Sequence, residues 1–476
     1  MPFNIIVRGF EDPLGTRALT RAFEGISIGT CYIMGRNEKD AAKVPAKNRI
    51  FWGPSALDHV DWNALRPLDE ELIEKMRPCE AVTFEMFTRL ETDGRFLSYG
   101  YRKREYLRLL RYWNDLLERD QIRMFLSYTV PHFPPDYVLY HLCKLKGIPT
   151  ILCSPGDPLQ DVLFLHDDLE EPALALRERV AAPRPQSAPL PPHLESYFQR
   201  QTDDRSPEHT RKPWYHQMAF PKLPWSRSPL KRGFLQRQFR YISRLLQARK
   251  TFTFYDANAT SPDFSRRFIY VALHMQPECN TTPLAGAYAN QELIVQMLGA
   301  LVPEDVLIYV KEHPFQKFHH PDGKWRSIAF YSDLLKVRNV RFMPRDLSTY
   351  TLIEHCSAVV SASSTAGFEA LFRGKPAIVF GHRFHCEAPG VFRVRTIDDC
   401  KEALSAIFEK GVHPTREDMR FFLHAVEETA VYGYTDLVYR MATTLTDEQS
   451  AEQVGKALRE KIRSAKPHTQ FATVSR

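Results

Sequence analysis

Residues 359–381 read VVSASSTAGFEALFRGKPAIVFG. A buried strand ends near Ser361, small hydroxyl residues and a glycine make a turn, a helix begins near Ala366, and KPAIVFG supplies the next strand. Strand, helix and strand in that order, with apolar strands, is the pattern of a parallel α/β sheet. A helix amino terminus after such a turn offers free N–H groups and the positive end of the helix dipole, which suits phosphate. Ser363, Ser364 and Thr365 add hydroxyl donors, Gly367 lets a ligand come close, and Glu369, one turn in, can accept from ribose hydroxyls. The same residues also read as an ordinary N-cap in an α/β repeat, and both readings stand at this point.

Working upstream, the α/β series starts at RRFIYVALHMQP and continues through the helix NQELIVQMLGALV to VLIYVKEHP, which ends a strand and enters its exit loop. VRNVRFMP, LSTYTLIEHC and SAVVSAS follow as strand, helix and strand. In KEHP, Pro314 stiffens the backbone and disfavours a helical conformation at His313. The imidazole can therefore donate to a phosphate from a fixed place, and Lys311 can add positive charge. In the first exit loop Glu278 is the lone carboxylate, placed either to act in glycosyl transfer, which needs a nucleophile or base, or to cap the turn.

The first 165 residues show a second α/β series, with strands in FNIIVRGF, GISIGTCYIMG, NRIFWGP, QIRMFLSYTV and TILCSPG and helices around 96–120 and in YVLYHLCKLKGIP. The loop SYTVPHFPPD leaves a strand where open α/β sheets place ligands, so His132 is a candidate acceptor contact or a solvated connector histidine. The expected organisation is a Rossmann-like acceptor domain over 1–165, a Pro-rich and basic aromatic insertion over 166–262, a Rossmann-like donor domain over 263–425, and helices with a charged tail over 426–476. Two such domains are expected to face one another across a cleft.

Composition limits the classes. A chain of 476 residues with 43% apolar and 25% charged residues is that of a folded protein with more than one core. No apolar run is long enough to cross a bilayer, and MPFNIIVRGFEDPLG reads as a first strand and not as a signal peptide, so a cytoplasmic location is expected. The eight cysteines form no C-x-x-C pair, which argues against zinc ribbons and redox dithiols. His313, His319 and His320, and likewise His382 and His385, cluster without the carboxylate and histidine pattern of a familiar zinc site.

The net charge of +7 is uneven: 211–250 carries eleven Lys or Arg and no Asp or Glu, leaving 7 − 11 = −4 for the remainder. With its interleaved aromatics, this segment suits the surface of an anionic membrane, and its helix can place Phe234, Phe239, Ile242, Leu245 and Leu246 on one face. A helix packed on the domain is the other reading. Nucleic acid is disfavoured, since no recognised RNA or DNA module surrounds the segment.

Taken in order, M-Q-P-E, K-E-H-P and S-S-T-A-G-F-E-A-L-F-R-G-K-P-A-I-V-F-G resemble the capsule polysaccharide biosynthesis family, which includes bacterial Kdo transferases of the GT-B fold, over roughly residues 266–400. The resemblance implies that His313 and Pro314, with Ser363, Ser364, Thr365, Gly367 and Glu369, hold the phosphate and sugar of a CMP-activated donor. Family members often carry an aspartate shortly after the glutamine of the first loop, where this chain has Pro277, Glu278, Cys279 and Asn280 after Gln276. Either Glu278 takes that role or the catalytic carboxylate lies elsewhere. The implied activity is transfer of Kdo or a related acidic sugar from a CMP donor to a lipid-linked or polysaccharide acceptor, without a metal, at the inner face of the cytoplasmic membrane. Transfer of a polyol phosphate from a CDP donor, as in teichoic-acid polymerases, and a non-catalytic scaffold of a capsule assembly complex are the alternatives.

Overall fold

The computed structural model describes residues 2–36, 38–91, 96–183, 189–203, 234–316, 325–436 and 443–465. The described chain forms two compact units, one of Met1–Leu90, Leu97–Ala175 and Glu427–Arg476 and one of Glu91–Phe96 and Leu176–Val426.

The first unit holds strands β1 (Phe3–Arg8), β2 (Ile28–Met34), β3 (Asn48–Trp52), β4 (Ile122–Ser127), β5 (Thr150–Pro155) and β6 (Val162–His166), with a short Val431–Tyr432 strand. From one edge the order is β3, β2, β1, β4, β5, β6 and then Val431–Tyr432; the first five run parallel and the last two pair antiparallel. Ile5, Val7, Cys31, Ile33, Met124 and Leu126 build its core together with Leu14, Ala18 and Leu19 of the Pro13–Ala22 helix.

That core is completed from the far end of the sequence. The Asp447–Ser464 helix buries Val454, Leu458 and Ile462 in it. A side chain at Gly455 would come within 2.4 Å of the Arg21 Cβ, so glycine is what lets the two helices lie so close. Sequence grouped this helix with a trailing C-terminal block; its apolar stripe instead binds it to the first residues of the chain.

The second unit holds β7 (Phe268–Ala272), β8 (Leu307–Lys311), β9 (Val340–Phe342), β10 (Ala358–Ser361), β11 (Ala377–Val379) and β12 (Val391–Arg393), all parallel, in the order β9, β8, β7, β10, β11, β12. The chain winds outward from β7 to β9, then crosses back to the other side of β7. This is the doubly wound Rossmann order, and its direction reverses between β7 and β10. The first unit reverses likewise between β1 and β4. Two Rossmann-like units in one chain make the α/β architecture GT-B-like, as the sequence predicts.

The 166–262 block, expected as an insertion, contributes to both units. The last residue of β6 and the start of the Leu174–Ala181 helix lie in the first, whereas the Pro192–Thr202 and Phe234–Asn258 helices lie in the second. Tyr197 and Phe198 pack on Phe372, and Tyr255 stacks on Phe342 at 4.9 Å. Proline masked the helical period in the sequence. The Phe234–Asn258 helix buries Ala248, Phe252 and Tyr255 near its end, while Phe239, Ile242 and Leu246 of the expected apolar face are 75%, 51% and 57% exposed. Residues 211–233 of the basic segment lie outside the described residues.

Candidate functional site

The carboxyl ends of β10, β7 and β8 lie side by side, and each releases one of the motifs singled out by sequence. After β7 come His274, Gln276, Glu278 and Asn280; after β8, Glu312 and His313; after β10, Ser363 and the Thr365–Leu371 helix.

One imidazole joins the loops on the two sides of the reversal. The backbone N–H of Ser363 donates to His274 Nε2 at 3.0 Å, so in the neutral ring the proton sits on Nδ1, which faces Glu278 Oε1 at 3.3 Å. The Ser363 hydroxyl donates to the Asn280 carbonyl at 2.7 Å. Asn280 Oδ1 in turn accepts from Arg383 at 3.1 Å.

A buried polar frame joins the β7 and β8 loops. Arg326 bridges the Glu312 carboxylate, Gln276 Oε1 and the His274 carbonyl, and Tyr331 donates to Glu312 at 2.6 Å. The Gln316 side-chain amide ties the two loops, accepting from the Gln276 backbone N–H at 2.7 Å and donating to its carbonyl at 2.8 Å. Glu312 Oε1 accepts from the His313 N–H at 2.7 Å, which fixes the backbone that presents this imidazole.

His313 Nδ1 accepts from the Phe315 N–H at 3.2 Å, so the neutral ring carries its proton on Nε2. Burial pushes His313 down to about 4, against the pull of Glu278 and Glu312. It is thus a neutral hydrogen-bond donor near neutral pH and not a cation. Burial alone would raise Glu278, but the hydrogen bond from His274, with His313 and Asn280 nearby, outweighs it and holds the carboxyl below its ordinary value.

The remaining predicted residues divide. Ser364 Oγ accepts from the Ala366 N–H at 3.1 Å as the helix cap, and Ser363 is spent as described, which leaves the Thr365 hydroxyl without a hydrogen-bond partner among the described residues. Gly367 faces the sheet: a Cβ there would lie 3.4 Å from that of Ala377, so its small size serves helix-on-strand packing. Glu369 is half-buried in the same helix, and Pro314 is exposed. Lys311, 3% exposed, turns to Thr349 with Nζ to Oγ1 at 3.1 Å, and burial brings it down to about 8. The structure therefore gathers His313, Glu278 and the Ser363 turn, with Lys311 directed to the start of the Thr349–His355 helix.

His382 and His385 separate. His382 Nδ1 meets the Arg393 guanidinium, whereas His385 is wholly buried, 5.7 Å from the Phe368 ring and 5.5 Å from that of Phe384. His319 and His320 lie outside the described residues. In the first unit, the loop after β4 carries His132. Its Nδ1–H donates to the Val130 carbonyl at 2.6 Å, leaving Nε2 as acceptor, and burial with the nearby Arg8, Arg89 and Arg36 depresses it to about 3.

Sequence reasoning missed His274, Gln276, Asn280, Glu312, Arg326 and Arg383 as site residues. His274 had a signal, its four-residue spacing from Glu278 in the exit loop. Arg326, far along the chain and outside any motif, had none.

Residues 282–406 match the capsule polysaccharide biosynthesis protein family. The matched segment begins inside the β7 exit loop and runs through KEHP and the Ser363 turn, while His274, Gln276, Glu278 and Asn280 precede it. A search of curated proteins returns no match. Among solved structures, KpsC of Thermosulfurimonas dismutans, a beta Kdo 2,7 transferase, aligns at 12% identity and TM-score 0.30, covering 72% of this chain and 88% of its own. UDP-GlcNAc 2-epimerase of Methanocaldococcus jannaschii aligns at 9% identity and TM-score 0.25, covering 90% and 100%. The glycosyltransferase SnogD of Streptomyces nogalater aligns at 13% and 0.22, covering 90% and 96%. None of the three fixes what this chain acts on.

Proposed function

We propose that this protein is a glycosyltransferase that moves Kdo or a related acidic sugar from a CMP-activated donor to a lipid-linked or capsular polysaccharide acceptor. The observation that carries the reading is the convergence of His313, Glu278 and the Ser363–Thr365 turn at the β7/β10 reversal, with His313 and the turn inside the segment that matches the capsule family and Glu278 four residues before it. Ligands of open α/β sheets bind at such a place. His313 Nε2–H and the Thr365 hydroxyl donate to the donor phosphate. Glu278, kept ionised, faces the developing positive charge of the sugar. Pro314 holds the His313 loop in shape, Lys311 contributes positive charge from the neighbouring helix start, and Glu369 accepts from the ribose. No metal is needed for the leaving CMP, because these donors stabilise it.

The first unit binds the acceptor in this reading, with His132 Nε2 accepting a hydroxyl hydrogen beside the guanidiniums of Arg8 and Arg89. The basic segment 211–250 brings the enzyme to an anionic membrane at the cytoplasmic face, consistent with the exposed Phe239, Ile242 and Leu246. No described helix is long and apolar enough to cross a membrane.

Incubation with CMP-Kdo and, separately, with CDP-glycerol tests the reading. CMP release from CMP-Kdo supports it; turnover of CDP-glycerol alone assigns polyol phosphate transfer instead; tight CMP binding with no turnover of either assigns a scaffold.

A further inference from the structure

We propose that His274 is the positioning residue of this site: as the Nδ1-protonated neutral imidazole it fixes the Glu278 carboxylate relative to the Ser363 turn. The role rests on the transferase reading of Glu278; the tautomer does not.

A backbone N–H can only donate, so the Ser363 contact of 3.0 Å makes Nε2 an acceptor and assigns the single proton of the neutral ring to Nδ1. That proton points at the carboxylate two loop turns away, with Nδ1 3.3 Å from Glu278 Oε1. His274 is 5% exposed, and its ring has little room to turn. Its backbone is clamped as well: the Gln291 amide accepts from the His274 N–H at 2.6 Å and donates to its carbonyl at 3.2 Å, and Arg326 donates to the same carbonyl at 2.9 Å.

The consequence follows from the topology. β7 and β10 are neighbours, but their exit loops diverge where the winding reverses, and a ligand between them is held well only if both loops keep their spacing. One rigid five-membered ring, hydrogen-bonded on both nitrogens, sets that spacing. A second proton on His274 would set Nε2–H against the Ser363 N–H, so the tie exists only in the neutral form. The charged and titratable groups around the tie are Glu278, His313 from the β8 loop, His385, Arg326 beneath the His274 carbonyl, and Arg383 through Asn280.

Two conservative variants separate the two halves of the tie. His274→Asn places an amide N–H near the position of Nδ1 and keeps the donor to Glu278. His274→Gln reaches Ser363 with its carbonyl and leaves Glu278 without that donor. With CMP-Kdo as substrate, His274→Gln is expected to lower kcat about 100-fold and to move the acid limb of the kcat profile to higher pH, because Glu278 loses a hydrogen bond that favours its ionised form. His274→Asn is expected to keep the wild-type acid limb while raising KM about ten-fold. Nitrogen-15 histidine NMR, compared between wild type and His274→Gln, reads the tautomer without turnover. One Nδ1-protonated ring should vanish from the spectrum. A vanishing signal from an Nε2-protonated ring overturns the proposal, as does an acid limb that stays in place in both variants. If wild type leaves CMP-Kdo untouched, the transferase reading fails, and with it the role assigned to His274, while the NMR comparison still decides the geometry.

Discussion

Arg326 and Glu312 pair with neither side chain exposed to solvent. A buried ion pair endures when its remaining donors and acceptors are met, and here Gln276, the His274 carbonyl, Tyr331 and the His313 N–H meet them. The pair is the underside of the site, since it joins the loop that carries Glu278 to the one that carries His313. Arg326→Met is expected to destabilise the second unit by about 3–5 kcal/mol, because it leaves a buried carboxylate without its cation. Arg326→Met combined with Glu312→Gln should recover part of that loss. Urea unfolding of the three proteins measures both effects.

His313 is the direct test of the phosphate contact. It sits on an exit loop and outside the packed apolar core, so His313→Ala should leave the melting temperature close to wild type. Removal of a preorganised donor at a leaving phosphate costs about 100-fold to 1,000-fold in kcat. Turnover of CMP-Kdo beside circular dichroism melting checks the pair of outcomes. A variant that keeps wild-type turnover removes His313 from the site.

Much of this site was legible because strand exits carry chemistry in parallel sheets, and KEHP and SASSTAG stand at such exits. The frame behind them was not. Glu312 reads in sequence as one more polar residue of an exit loop, and only the fold turns it inward to Arg326 and Tyr331. The three hydroxyls of SST likewise look equivalent, yet Ser363 donates to the distant Asn280 carbonyl and Ser364 caps its helix, so that among the described residues Thr365 alone is left. β6 escaped notice because VLFLH follows a turn-rich stretch and pairs antiparallel, a partnership with no local signature. The C-terminal segment reads as helical with a fraying charged tail from Ala457, but the start of that tail instead continues the Asp447–Ser464 helix and buries Leu458 and Ile462 against the opposite end of the chain.

Stability should fall on acidification, with His385 as one identifiable cause. Both ring nitrogens are buried without a hydrogen-bond partner among the described residues, and burial with Arg383 pushes the ring down to about 3. In the unfolded chain it titrates near about 6.5. Between those values the unfolded state binds a proton that the folded state refuses, so this contribution is whole above about 6.5 and is lost as pH falls toward the folded value. His385→Phe, which keeps an aromatic ring against Phe368 and Phe384, should reduce the slope of unfolding free energy against pH between about 5 and 6 by close to one proton. His141 and His166, each pushed down to about 4 by burial, keep some slope in the variant.

Membrane association predicts a salt-dependent affinity. Vesicles containing phosphatidylglycerol should sediment the protein at low salt, and vesicles of phosphatidylcholine should not. Replacing Phe239, Ile242 and Leu246 together by serine should abolish most of the binding, since they are large exposed apolar residues among the described side chains of the basic helix. Equal binding of the triple variant would mean that charge alone, or another surface, makes the contact.

The convergence of the His313 ring and the Ser363–Thr365 turn on one pyrimidine nucleotide is tested most directly by melting the protein with CMP, CDP, UDP and GDP. A ligand at 100 times its dissociation constant stabilises the native state by about 2.7 kcal/mol. CMP is expected to raise the melting temperature more than the other three, and His313→Ala to cancel the rise. A wild-type melting temperature that no nucleotide moves, or a CMP effect that persists in His313→Ala, would contradict it.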